Sequence, residues 1–252
     1  MKNNSFYLLM TILVVLAFSC SPKEKASAQN QTRQDLSVHS ADMSLPFEKG
    51  ETLTYAIKNL GIKAGDATLT LEGVTERNAR EVNLIIFRAQ AVNFLDEERI
   101  YADPETFYPL VVKRNLNIWG KKEKIEEYYN FDKGHIKIIK TEGGKTSEQI
   151  IEKKGKIDNI YCFIYRYRRS GDFNIGDSLG IRLPTKDITI ELTKKTSLKA
   201  AGKKYDAFFM RSIPKKYQVW FDTGAQKIPL RINGSIGLSA TAMTMTGYKK
   251  SG

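Results

Sequence analysis

From residue 51 onward the chain alternates apolar and polar positions in short runs. Leu53, Tyr55 and Ile57 alternate with Thr52, Thr54 and Lys58. Beyond Asn59-Leu60-Gly61, Ala67, Leu69 and Leu71 alternate with Asp66, Thr68, Thr70 and Glu72. A period of two turns one face of a strand inward and the other to solvent. The two runs predict an antiparallel hairpin, with Gly65 at the start of its second strand or at a bulge. Further strands are expected over 81–92, 96–101, 107–119 (broken near Pro109), 124–131, 135–140 and 146–152. Turn chemistry separates them, including Asp103-Pro104-Glu105-Thr106, Asp132-Lys133-Gly134 and Glu142-Gly143-Gly144-Lys145.

Residues 158–169 break the alternation. Ile160, Phe163, Ile164 and Tyr167 share one helical face, Asp158 is placed to cap, and Arg166, Arg168 and Arg169 suit the C-terminal pole. Gly171 follows as a stop. Strands resume over 179–183, 188–198, 204–211, 217–222, 228–233 and 235–248, with hairpin turns at Asp222-Thr223-Gly224 and Asn233-Gly234. The pattern predicts an all-β fold with one short helix: a long curved antiparallel sheet, half-open and barrel-like, joined by meander connections.

The N-terminus reads differently. One positive charge at Lys2 precedes the apolar run 6–18, too short to span a bilayer comfortably and shaped like a secretory signal. Ser19-Cys20 at its end has the form of a bacterial lipobox, which makes 1–19 a lipoprotein signal and Cys20 the lipidated first residue. Residues 20–45, rich in Ser, Gln, Lys and Asp, form an expected flexible tether, and 46–252 a single β domain. The expected location is the cell envelope, lipid-anchored, at the outer membrane on the periplasmic side or the surface.

The chain carries 40 Lys and Arg against 28 Asp and Glu, a net charge of +12. These cations are scattered rather than striped, and the chain is read as exported, so nucleic acid is not expected as a partner. With Cys20 acylated, Cys162 has no disulfide partner and reads as a small buried hydrophobe; His39 and His135 supply no zinc pair. The acids Asp96-Glu97-Glu98 read as a solvated turn, and Glu123, Glu126 and Glu127 as a charged outer face. Asp177-Ser178-Leu179 matches a bacterial O-glycosylation sequon. No catalytic constellation, metal site or cofactor is expected. Aromatics with polar tips suit a binding groove, so Tyr161, Tyr165 and Trp220 are candidate walls of a mainly apolar concavity, and Arg166 a candidate contact for an acidic head group.

The phrase Phe47-Glu48-Lys49-Gly50-Glu51-Thr52-Leu53-Thr54-Tyr55, followed by Gly61-Ile62-Lys63-Ala64-Gly65-Asp66-Ala67, resembles the opening signature of the bacterial exported family DUF3108. Tyr108-Pro109-Leu110, residues 158–166, Val219-Trp220-Phe221-Asp222 and Ile228-Pro229-Leu230-Arg231 extend the resemblance over about 46–248. It implies an envelope protein with a sheet curled around a helix, similar to the half-open barrels of periplasmic lipoprotein carriers. The expected role is a non-enzymatic lipoprotein holding a lipophilic or amphipathic envelope ligand. The alternatives are an assembly factor docking on another envelope protein and, third, an enzyme acting on glycans.

Overall fold

The computed structural model describes residues 45–250, except 154, 171 and 237 and the side chains of 235–240. The expected signal, Cys20, the tether and the Gly171 stop lie outside the described residues. Among the described residues fourteen strands and one helix follow in order: β1 (Glu51–Asn59), β2 (Ile62–Arg77), β3 (Arg80–Ala91), β4 (Phe94–Ala102), β5 (Pro109–Ile118), β6 (Lys121–Asn130), β7 (His135–Glu142), β8 (Lys145–Glu152), α1 (Ile160–Ser170), β9 (Ser178–Leu183), β10 (Lys186–Ala200), β11 (Lys203–Ile213), β12 (Gln218–Asp222), β13 (Pro229–Ile236) and β14 (Leu238–Lys249). All the strands belong to one antiparallel sheet in the order β8-β7-β6-β5-β4-β3-β2-β1-β14-β13-β12-β11-β10-β9. Two meanders therefore meet mid-sheet, where β1 pairs with β14 from Thr52↔Lys249 to Lys58↔Ala242. The sheet is not closed: β8 and β9 are its two ends, and the chain passes between them through α1.

The helix runs inside the curl. Its Tyr161 ring stacks on Phe87 of β3 at 4.3 Å, while Tyr167 lies 5.9 Å from Phe221 of β12, far along the sheet. Enclosure on both sides explains why burial is not confined to one stripe. Tyr161, Cys162, Phe163, Ile164, Tyr165, Tyr167 and Arg168 are all buried, whereas the expected face member Ile160 is only partly so. An all-round buried helix is what a core position demands. The cap also shifts by one residue: Asn159 Oδ1 accepts the Tyr161 N–H at 2.8 Å, and Asp158 instead pairs with Arg166.

Hairpin geometry follows the turn residues. Leu60-Gly61, Asn78-Ala79, Trp119-Gly120, Gly143-Gly144 and Ala201-Gly202 each join two strands with both residues at positive φ, the mirror-image turn that suits strand twist. The bulge expected near Gly65 is present, since Ile57 faces Gly65 while Lys58 faces Lys63. A Cβ at Gly65 would sit 2.2 Å from the Gln90 carbonyl oxygen, so only glycine allows β3 this close. Asn233-Gly234 is not a turn. β13 continues to Ile236 and Gly234 pairs with Thr241. A Cβ there would lie 2.7 Å from the Tyr217 ring, so this glycine makes room for a side chain rather than for a bend.

Candidate functional site

The site begins on β4, where Phe94, Asp96, Glu98, Ile100 and Ala102 share the inward face. Asp96 and Glu98 are thus carried into the curl beside buried apolar neighbours, and Glu97 points outward. These acids, expected in a solvated turn, instead lie within the strand expected over 96–101, with Asp96 and Glu98 on its inward face. Arg114, opposite Glu98 on β5, turns inward as well. Its Nε and Nη2 donate to the two Asp96 carboxylate oxygens at 2.7 and 2.5 Å, and Nε lies 3.5 Å from Glu98 Oε1. A bidentate guanidinium–carboxylate pair of this kind fixes both side chains. On β6, Glu127 also faces in rather than lying on an outer charged face, accepting from Tyr129 Oη at 2.5 Å. Glu126, its neighbour, does face out, 3.1 Å from Lys113.

Glu98 and Glu127 hold their protons more tightly than an ordinary carboxyl does. Burial pushes Glu98 up to about 7, and the nearby Asp96 and Glu127 push in the same direction against the pull of Arg114. Burial likewise raises Glu127, opposed by its bond from Tyr129 and by Arg114. Asn159 links this wall to the helix, capping α1 with its oxygen and donating Nδ2 to Glu98 Oε2 at 3.4 Å.

Between this charged wall and β12–β14 lies a cavity of about 210 Å³. Asp96, Glu98 and Arg114 line one side, Asn159 and Tyr161 its inner end, and Tyr217, Ile232 and Met243 the facing side. Apolar surface makes up the larger part of the lining, and the three charged residues are gathered on one side of it. No group of three or more His, Cys, Asp or Glu among the described residues is arranged to hold a metal ion.

A profile described as "Protein of unknown function (DUF3108)" matches residues 52–246. The chain belongs to the DUF3108 family. No curated protein matches it. Among solved structures, it is similar to the "Beta-barrel-like Protein of Domain of Unknown Function DUF1849 from Brucella abortus" at 7% identity, covering 82% of this chain and 99% of that one with a TM-score of 0.46.

In this DUF3108 domain the four residues singled out from the sequence do not form one site. Tyr161 lines the cavity. Tyr165 is fully buried further along α1, 5.1 Å from the Phe47 ring and stacked with Phe107, and its hydroxyl has no hydrogen-bond partner. Arg166 is held by Asp158 and lies over the Tyr108 ring at 4.1 Å, away from the cavity. Trp220 sits between the inward Val219 and Phe221 and so faces the other side of β12, against Phe209 at 4.7 Å and Arg231 at 5.2 Å. Parity on a strand places it there.

The remaining basic side chains of α1 also have structural duties. Arg168 is buried at 1% exposure, giving Nη1 and Nη2 to the Glu51 carboxylate at 2.5 and 2.8 Å and its other donors to the Gln226 and Pro46 carbonyls. Arg169 donates to the Glu105 carbonyl. Cys162 is buried, as its flanking aromatics predicted, and burial raises its thiol well above the ordinary range, opposite to what a nucleophile requires.

The sequence did contain a signal for the charged wall. Asp96 and Glu98 share parity with Phe94, Ile100 and Ala102, as Arg114 does with Val112 and Leu116. Ionic residues in phase with a buried face mark an inward polar cluster.

Proposed function

We propose that this protein is a non-enzymatic cell-envelope lipoprotein, anchored through Cys20, whose curled sheet binds the head or a short segment of an amphipathic envelope molecule. The single observation behind the binding role is the 210 Å³ cavity with an ionic wall facing an apolar one. Ligand pockets for drug-sized molecules run from about 300 Å³ upward, so a cavity this size suits part of an amphiphile rather than a whole phospholipid. A polar end would meet Glu98, Asn159 and Arg114, and an apolar end Tyr161, Ile232 and Met243. Binding is favoured over glycan cleavage because the lining carboxylates both lie on β4, while glycoside hydrolysis asks for two acids flanking the bond. The opposing wall carries Tyr217, Ile232 and Met243.

Mass spectrometry of the gently purified protein tests this function. A co-purified amphiphile should be present in the wild type and depleted in Met243→Trp, which fills the cavity. A wild type that carries nothing, and binds no added envelope lipid extract, overturns it. The anchor has its own test: labelled palmitate should enter the wild type and not Cys20→Ser. Equal labelling, or none in either, removes the anchor. A second role, assembly with another envelope protein, is supported by β8, which ends the sheet and whose side chains are almost all exposed. Such a strand is open to pairing with a partner's strand.

A further inference from the structure

The hairpins turn at two opposite ends of the sheet, and three neighbouring turns at one end carry large apolar side chains. At one end lie Leu60-Gly61 (β1–β2), Val92-Asn93 (β3–β4) and Trp119-Gly120 (β5–β6), consecutive hairpin tips along the sheet. The register brings them together: Gly65 faces Ala91, and the Trp119 N–H donates to the Asn93 carbonyl at 2.8 Å. Leu60 is 96% exposed, Ile62 75%, Val92 83% and Trp119 58%, so each tip holds a large apolar side chain in water. At the opposite end, the two-residue turns are Asn78-Ala79 and Ala201-Gly202.

Two further observations show that the apolar tips are not incidental. Leu60 and Trp119 adopt φ of 49° and 54°, where Asn, Asp and Gly are preferred and a bulky residue costs stability. The fold alone would be better served by Asn at both positions. The tips are also flanked by the exposed cations Lys58, Lys63, Lys121 and Lys122. Lys58 and Lys63 stand opposite each other across β1 and β2, with Asp66 pairing to Lys63 at 2.8 Å and no carboxylate salt-bridged to Lys58 among the described residues. Bulky apolar tips in a ring of lysine match one class of surface, an anionic bilayer. Leucine, isoleucine and valine enter its acyl boundary, tryptophan settles at the head groups, and lysines meet the negative charge.

We propose that this end of the sheet docks on an anionic phospholipid surface, with Leu60, Ile62, Val92 and Trp119 as the inserting residues. The contact is separate from any acyl anchor. It also lies at the end of the curl that holds the cavity: Asp96 is three residues from the Asn93 tip, about 10 Å along β4. Docking would therefore bring the cavity close to the lipid head groups.

The test uses residues 38–252, a compact unit that contains every described strand pair and the core, so Cys20 cannot contribute. The piece is pelleted with vesicles of phosphatidylethanolamine and phosphatidylglycerol, or of phosphatidylcholine alone. It should bind the anionic vesicles, and less so as salt is raised. The double variant Leu60→Asn with Trp119→Asn should bind roughly tenfold or more weakly. Because Asn suits positive φ, that variant should melt no lower than the wild type, which separates lost docking from lost folding. Ile150→Asn, on β8 away from these tips, should bind like the wild type. Docking is overturned if the wild type does not bind, binds neutral vesicles equally well, or is unaffected by the double change. It is also overturned if Ile150→Asn weakens binding as much as the double variant does. Self-association without vesicle binding, lost in the double variant, would identify the tips as a protein interface and equally overturn it.

Discussion

The Glu51–Arg168 pair ties the helix to the middle of the sheet through a fully buried, two-pronged ion pair, and Tyr248 Oη donates to Glu51 Oε2 at 3.1 Å. Removing one member leaves a buried charge without its partner. Arg168→Ala is expected to cost about 3–5 kcal/mol in chemical denaturation, while Glu51→Leu combined with Arg168→Met should cost clearly less than that single change. Glu98 behaves in the opposite manner, because its environment favours the neutral acid. Its carboxyl is raised from 4.5 to about 7 in the fold, so between these pH values the folded state holds more proton than the unfolded chain. Stability should then fall as pH rises from about 4.5 to about 7 and level off above that, by a few kcal/mol at most. Below 4.5 both states are protonated and the penalty is absent. Glu98→Gln should flatten this part of the melting-temperature profile, and an unchanged slope would assign it to other groups.

Individual elements show where sequence patterning is informative. The opening hairpin, its bulge and most later strands were legible because alternation reports a half-buried face, and a half-buried face is what most of this sheet has. The bulge gives a direct check: Gly65→Ala brings a methyl group against the Gln90 carbonyl and should cost about 1–3 kcal/mol, read as a lower melting temperature. Two features were hidden for physical reasons. Asn233-Gly234 has the composition of a turn, yet its glycine answers to the Tyr217 ring, a neighbour that no local window contains. In α1 the helical period was correct, but enclosure by the curl buries nearly every side, so the apolar stripe understated the core. The cavity fared worse. Of the four candidate residues Tyr161 reaches it, while Asp96, Glu98 and Arg114 are legible through strand parity alone, because residue type by itself points ionic side chains to solvent.

At the scale of the whole molecule, the described sheet consists of two meanders whose backbone ladders meet where β1 pairs with β14. Hydrogen exchange should show β1 and β14 amides among the slowest to exchange, opening only with global unfolding, and β8 among the fastest. Cleaving off residues 238–252 should abolish a single cooperative melt, because β1 and β13 then become raw edges in the middle of the sheet. A chain missing those residues that still melts cooperatively would show that each meander stands alone.

That seam also sets a schedule. β1 is among the first parts of the domain to be synthesised and β14 the last, with Thr52 waiting for Lys249. At about 5–20 residues per second, the interval is on the order of 10–40 s. Throughout it, the newborn first meander carries an unpaired strand, the kind of edge that recruits other chains. Folding of this sheet is therefore a matter of timing, since the first meander keeps that open edge until β14 has emerged.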